Sequence, residues 1–277
     1  MCFADLYLPS HFDAKLEHMP YMFKQSGFSL VELSIVLVIL GLLTGGILGG
    51  QALIRAAELR TVATDYARFA TAAQTFRDKY FAIPGDMANA TAFWGKSAAD
   101  CNTQAGNAAT PGTCNGDGNG QISFSVAASA TGETFQFWKQ LALAGLVEGT
   151  YSGISGSGGP AESIIGVNVP RGKLGNSGFG VAFYVTAGDP SNYALNYGNQ
   201  MTFGAANGLN DTSGRILKSE ESWNIDTKLD DGRPATGSII SIYWDECTSS
   251  TSFSDFTGQY ELSISTNSCA LRYRNFL

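Results

Sequence analysis

The sequence predicts an α+β protein: one long N-terminal helix, membrane-spanning in its first half, packs by its second half on a head domain built around an antiparallel sheet. Three observations carry this. From Leu33 to Ile54 there are 22 residues without a charge. Next, Val62, Tyr66, Phe69, Ala73, Phe76 and Tyr80 recur at spacings of four and three, which is one apolar stripe on a helix. Finally, strand-like runs at Gly180 to Thr186, Ser238 to Trp244, Tyr260 to Ser265 and Ala270 to Phe276 crowd the C-terminal third.

The uncharged run, as a helix rising about 1.5 Å per residue, reaches roughly 33 Å, enough to cross a bilayer core. With the stripe beyond it, the helix is expected over 28–80, about 80 Å long, with residues 30–54 in the membrane. Pro84-Gly85-Asp86 then ends the helical pattern. The head follows over 81–277. Its segment 89–121, rich in Gly, Ala, Asn and Thr, reads as a long loop. A second helix is expected from about Gly132 to Val147, and a short one within Ser213 to Leu229. The run Ser152 to Gly159 lacks a preceding strand and following helix, so it reads as disorder or surface loop rather than a phosphate cradle.

Composition narrows the function classes. With 277 residues, 44% of them apolar, the chain can bury a substantial core. A formal charge of −7 and a pI near 4.8 argue against a nucleic-acid-coating surface, so no nucleic acid is expected as partner. Low charge content, 15% of residues, together with abundant Gly, Ser, Thr and Asn leans toward an exported protein.

Ahead of the apolar run stands Lys24-Gln25-Ser26-Gly27-Phe28-Ser29-Leu30-Val31-Glu32-Leu33. This stretch resembles the signal of type IV prepilins and of the pseudopilins of type II secretion: a basic residue, a terminal glycine, then Phe-Ser-Leu-Val-Glu-Leu opening an apolar helix. The resemblance is close over roughly residues 24 to 80 and general beyond. It implies a leader over 1–27, cut by a prepilin peptidase between Gly27 and Phe28, with methylation of the new amino group. It further implies residence in the inner membrane, then incorporation through an assembly platform into a periplasmic or extracellular filament of homologous subunits, with no catalysis. Phe28 and Glu32 are the assembly residues of this reading. An ionisable group at the apolar end of a membrane helix is costly without a partner. The family pairs such a carboxylate with the amine of a neighbouring subunit; the plainer reading is a glutamate snorkelling at the membrane surface.

Two features depart from the family pattern. The leader is long and holds Asp5, Asp13 and Glu17, whereas translation from Met19 or Met22 would leave a short one. Where relatives carry a proline, this run holds Gly41, Gly45, Gly46, Gly49 and Gly50. Such glycines allow local melting, or close helix packing, and both readings stand. Positive charges flank the run on both sides, so orientation rests on the resemblance. The alternative function is a secreted binding module or adhesin released by ordinary signal peptidase near Gly49 to Ala52.

Both histidines, His11 and His18, precede the expected cut, which removes histidine-based catalysis and zinc ligation from the mature chain. Cys2 also lies in the leader. The spacing of Cys101, Cys114, Cys247 and Cys269 suggests two local bridges, Cys101 to Cys114 and Cys247 to Cys269, among the three pairings that four cysteines allow. No cofactor is required on this reading. Calcium is a candidate at Asn115, Asp117, Asn119 and Gln121, whose alternating oxygens resemble the first two-thirds of an EF-type loop. The closing carboxylate is missing, since the twelfth position is Val126; Glu133 would serve only if the chain folds back. Asp230-Asp231-Gly232-Arg233-Pro234 reads as a turn, with a calcium site or subunit contact at Asp226, Asp230 and Asp231 as the alternative.

Overall fold

The structure, a computed structural model, describes residues 27–97, 101, 112–125, 128–208 and 211–277. The expected leader with Cys2, His11, His18, Met19 and Met22 lies outside the described residues, as does Val126. Helix α1 (Leu30–Tyr80) is followed by α2 (Ala90–Trp94), α3 (Glu133–Leu143), β1 (Ser177–Val185), β2 (Asn196–Ala205), α4 (Ser219–Leu229), β3 (Ile239–Ile242), α5 (Trp244–Cys247) and β4 (Ala270–Tyr273). The four strands form one sheet in the order β1-β2-β4-β3, every neighbouring pair antiparallel. This is the α+β, pilin-like arrangement.

The chain divides into two compact units, one ending at Gln51 and one beginning at Ala52. In the first, the large apolar side chains of α1 are exposed all round, from Leu30 to Leu48. A helix apolar on every face is a helix that lipid or other helices cover. Its most apolar 18-residue window has a mean hydropathy of 2.4, and its length suffices to cross a membrane.

In the second unit the periodic stripe of α1 is core. Val62, Phe69, Ala73 and Phe76 are buried, and Phe69 meets Trp138 of α3 and Phe179 of β1 edge to face, at 5.0 and 5.1 Å between ring centroids. Tyr66 stacks on Tyr273 of β4 at 3.9 Å. Such aromatic pairs add to what burial of their area already supplies. Helix α1 ends at Tyr80, ahead of Pro84 and Gly85. Gly85 has φ +85, and a Cβ there would run into the Glu133 carbonyl, so only glycine fits.

Several elements depart from the sequence reading, each for a physical reason. Segment 89–121 is not loop throughout: it holds α2 and a bridge between Lys96 and Thr113. The helix expected at Ser213 to Leu229 starts only at Ser219, because Gly214 and Leu217 ahead of it are taken up in bridges to Ala205 and Cys269. The run Tyr260 to Ser265 makes no strand. Tyr260 forms a single bridge to Thr248, and Ile264 N–H turns back to the Glu261 carbonyl, inside the loop closed by Cys247 and Cys269. Ser238 to Trp244 is cut short at Ile242 because Tyr243 takes a left-handed conformation, φ +68, and opens α5. The stretch Ser152 to Gly159 is neither disordered nor confined to the surface. Ser152, Gly153 and Ser155 are buried, and their carbonyls and amides are met by Lys139 Nζ, Gln136 Nε2, Val167 and Ala130.

Candidate processing and assembly site

Gly27 and Phe28 are exposed and outside any helix or strand ahead of α1, Phe28 with 88% of its surface open. Ser29 caps the helix: its Oγ accepts the Val31 N–H at 3.3 Å, and its own N–H donates to Glu32 Oε2 at 2.9 Å. Ser29-Leu30-Val31-Glu32 is thus an S-x-x-E capping arrangement, with two of the helix-end donors satisfied by side chains. The sequence reading missed this role for Glu32, although the spacing was there to see. The carboxylate is held at the positive end of the helix, where negative charge is favoured.

An exposed glycine–phenylalanine junction, a capped helix start and an uncovered apolar helix surface thus follow one another in the chain. Residues 22–48 match the prokaryotic N-terminal methylation motif. The chain carries a prepilin motif, that of type IV pilins and pseudopilins. Comparison with curated proteins and with solved structures returns no match. The prepilin motif takes in Gly27, Phe28, Glu32 and the first three of the five helix glycines, Gly41, Gly45 and Gly46.

In the head, Cys101 is bonded to Cys114 and Cys247 to Cys269, with Cα separations of 5.5 and 5.2 Å. Among the calcium candidates, Asn115 Oδ1 accepts from Thr91 N–H, Asn119 Oδ1 accepts from Gln121 N–H, and Asp117 binds the Asn119 amide. The chain does fold back so that Glu133 approaches. The carboxylates of Asp86, Asp117 and Glu133 lie within 4.8 Å of one another, and Asp86 is a member that sequence spacing had no means of finding. Every one of the six carboxylate oxygens accepts an N–H: Asp86 from Asn119 and Gly120, Asp117 from the Asn119 backbone and side chain, Glu133 from Asp117 and Ser123. Burial pushes the Asp86 and Glu133 carboxyls above their ordinary range.

The second acidic group, Asp226, Asp230 and Asp231, is likewise within 4.8 Å. Asp226 Oδ2 accepts from Tyr260 Oη at 2.8 Å and Oδ1 from Gly232 N–H at 3.1 Å, while Asp230 Oδ2 accepts from Ser238 and Ile239 and Asp231 from Arg233 and Thr236. Gly232, at φ +73, makes the turn. Burial raises the Asp226 carboxyl to about 7.

Proposed function

We propose that the chain is a filament subunit, processed by prepilin peptidase between Gly27 and Phe28, methylated at Phe28, and assembled into a type IV pilus or a type II secretion pseudopilus. The observation that carries this is the prepilin motif over residues 22–48 leading into a helix whose apolar side chains are uncovered all round. Residues 30–54 hold the protein in the inner membrane before assembly; in the filament, neighbouring helices replace the lipid and close packing supplies the cohesion. Its partners are homologous subunits, the peptidase, the inner-membrane assembly platform and membrane lipid. The head then stands in the periplasm or outside the cell, and its part is structural rather than enzymatic.

Glu32 supplies register. Its Oε2 accepts the Ser29 N–H of its own chain, and in the filament the same carboxylate turns to the methylated amine of a neighbouring Phe28. A charge-assisted pair in an apolar setting discriminates strongly between one axial position and another. The mass of the mature N-terminus tests the reading: it is expected to begin at Phe28 with one added methyl group. A mature protein beginning near Gly49 to Ala52 would instead favour a secreted binding module.

A further inference from the structure

The face of the sheet turned away from the α1 stripe carries a buried cation. Arg272 sits on β4 between Thr202 of β2 and Ile240 of β3, and only 3% of its surface is open. Its guanidinium lies over the rings of Tyr184 and Tyr197, at 4.6 Å from each centroid. Its Nε and Nη1 are buried with no hydrogen-bond partner, and among the described residues no carboxylate pairs with it. Aromatic faces offset part of the cost of desolvating a cation, yet a ring face does not replace the acceptors that Nε–H and Nη1–H lack.

Arg272 reaches the wall of a cleft of about 270 Å³, just below the roughly 300–1,000 Å³ of pockets that hold drug-sized ligands. The same wall carries Asn192, 8% exposed, whose Nδ2 is spent on Asp189 and whose Oδ1 is a buried acceptor with no donor. Asp211 also lines it, together with Tyr243 and the apolar Phe124 and Ile242. The cleft wall therefore carries two unused guanidinium donors, an unused neutral acceptor and a carboxylate. Buried polar groups are normally satisfied, and groups left over at a cavity wall are complementary to something that enters it. Donors alone would suit any anion. Donors with two acceptors suit a molecule bearing both signs, and Asp211 disfavours a dianion such as phosphate.

We infer that this cleft binds a small zwitterion of the amino-acid class, its carboxylate on the Arg272 guanidinium and its ammonium shared by Asp211 and Asn192 Oδ1. Phe124, Tyr184 and Ile242 supply the apolar wall for a side chain. The inference is independent of the filament reading: filaments built from a protein that binds no amino acid would overturn this inference and leave that one intact.

The test is calorimetric titration of the full-length protein in detergent with each of the twenty standard amino acids. The tightest binder is then compared with its decarboxylated amine, its deaminated acid and inorganic phosphate. At least one amino acid is expected to bind, with both truncated analogues at least tenfold weaker. Arg272→Lys, which keeps the charge and loses the planar set of N–H donors, is expected to weaken binding at least tenfold. Because that substitution also disturbs a buried position, Asp211→Asn serves as the second variant. The Asp211 side chain makes no hydrogen bond to another described residue, so its Tm is expected unchanged while the amino acid binds several-fold more weakly and the deaminated acid does not. No binding by any amino acid, binding of the deaminated acid as tight as that of the amino acid, or binding of phosphate alone would each overturn the inference.

Discussion

Arg55 grips Glu221 with two parallel hydrogen bonds, Nε to Oε1 at 2.6 Å and Nη2 to Oε2 at 2.7 Å, and so ties α1 to the first turn of α4. Glu221 is 8% exposed, and its Oε2 also accepts the Lys218 N–H. One carboxylate thus closes the end of α4 and anchors the head-embedded part of the long helix.

Removing the guanidinium should leave that carboxylate short of donors. Arg55→Ala is expected to cost about 1–2 kcal/mol of head stability, more than an exposed pair would, because bidentate charged bonds to a mostly buried acid are involved. Burial alone would raise the Glu221 carboxyl, but Arg55 and Lys218 N–H hold it below its ordinary value. The contribution is therefore present above the ordinary glutamate range and lost as pH falls through the depressed folded value. Thermal melts of wild type, Arg55→Ala, Glu221→Gln and the double variant, read as a double-mutant cycle at pH 7 and pH 3, check both claims; additive effects at pH 7 would refute the coupling.

Asp226 works with the opposite sign. Its carboxyl is raised to about 7 by burial, so the folded chain holds a proton that the unfolded chain releases near pH 4. Stability from this group is full below that value and is lost as pH rises toward 7, by on the order of a few kcal/mol. Asp226→Asn should flatten the wild-type decline in Tm between pH 4 and 8. An unchanged slope would rule out the buried proton.

Phe69→Ala removes a ring held by Trp138 and Phe179 in a closed core. A loss of about 3–5 kcal/mol is expected, measured by urea denaturation. A loss under about 1 kcal/mol would mean that α1 contributes little to the head.

The oxygens of Asp86, Asp117 and Glu133 are each matched with an N–H, and on that basis the loop is proposed to hold without a cation. Tm should not move with chelator or with millimolar calcium. A clear rise with calcium would assign a cation to this loop, and equilibrium dialysis would count the ions.

Glu32→Val removes the charge at the head of the apolar run, so membrane insertion should persist while filament yield falls at least tenfold. Fractionation and shear release of filaments measure the two separately; normal yield from the variant would remove Glu32 from assembly.

What the sequence made legible were the features with one dominant cause. The α1 stripe was readable because Val62, Phe69, Ala73 and Phe76 all answer to a single period, and the N-terminal motif because its residues are contiguous. Strand β2, Asn196–Ala205, was not expected at all. Its Gly198, Asn199, Gln200 and Thr202 look like loop, yet Asn199 is satisfied by Ile122 N–H and the Gly120 carbonyl, and Thr202 by Thr212. Those partners lie 77, 79 and 10 residues away, beyond any local pattern. Asp86 escaped notice for the same reason: Asn119 and Gly120, which it meets, lie 33 and 34 residues away. Nothing local in Leu271-Arg272-Tyr273 marks Arg272 as buried, and only the strands on either side reveal that it is enclosed.

Because residues 62 to 76 of the rod supply interior wall to the head, the two cannot be cut apart at the obvious place. A fragment starting after Tyr80 would leave Trp138, Phe179 and Tyr273 facing water and should aggregate, whereas one starting near Ala52 keeps that wall and sheds the greasy half. The domain boundary that matters for making a soluble form thus lies inside a helix, where neither a linker nor a loop marks it.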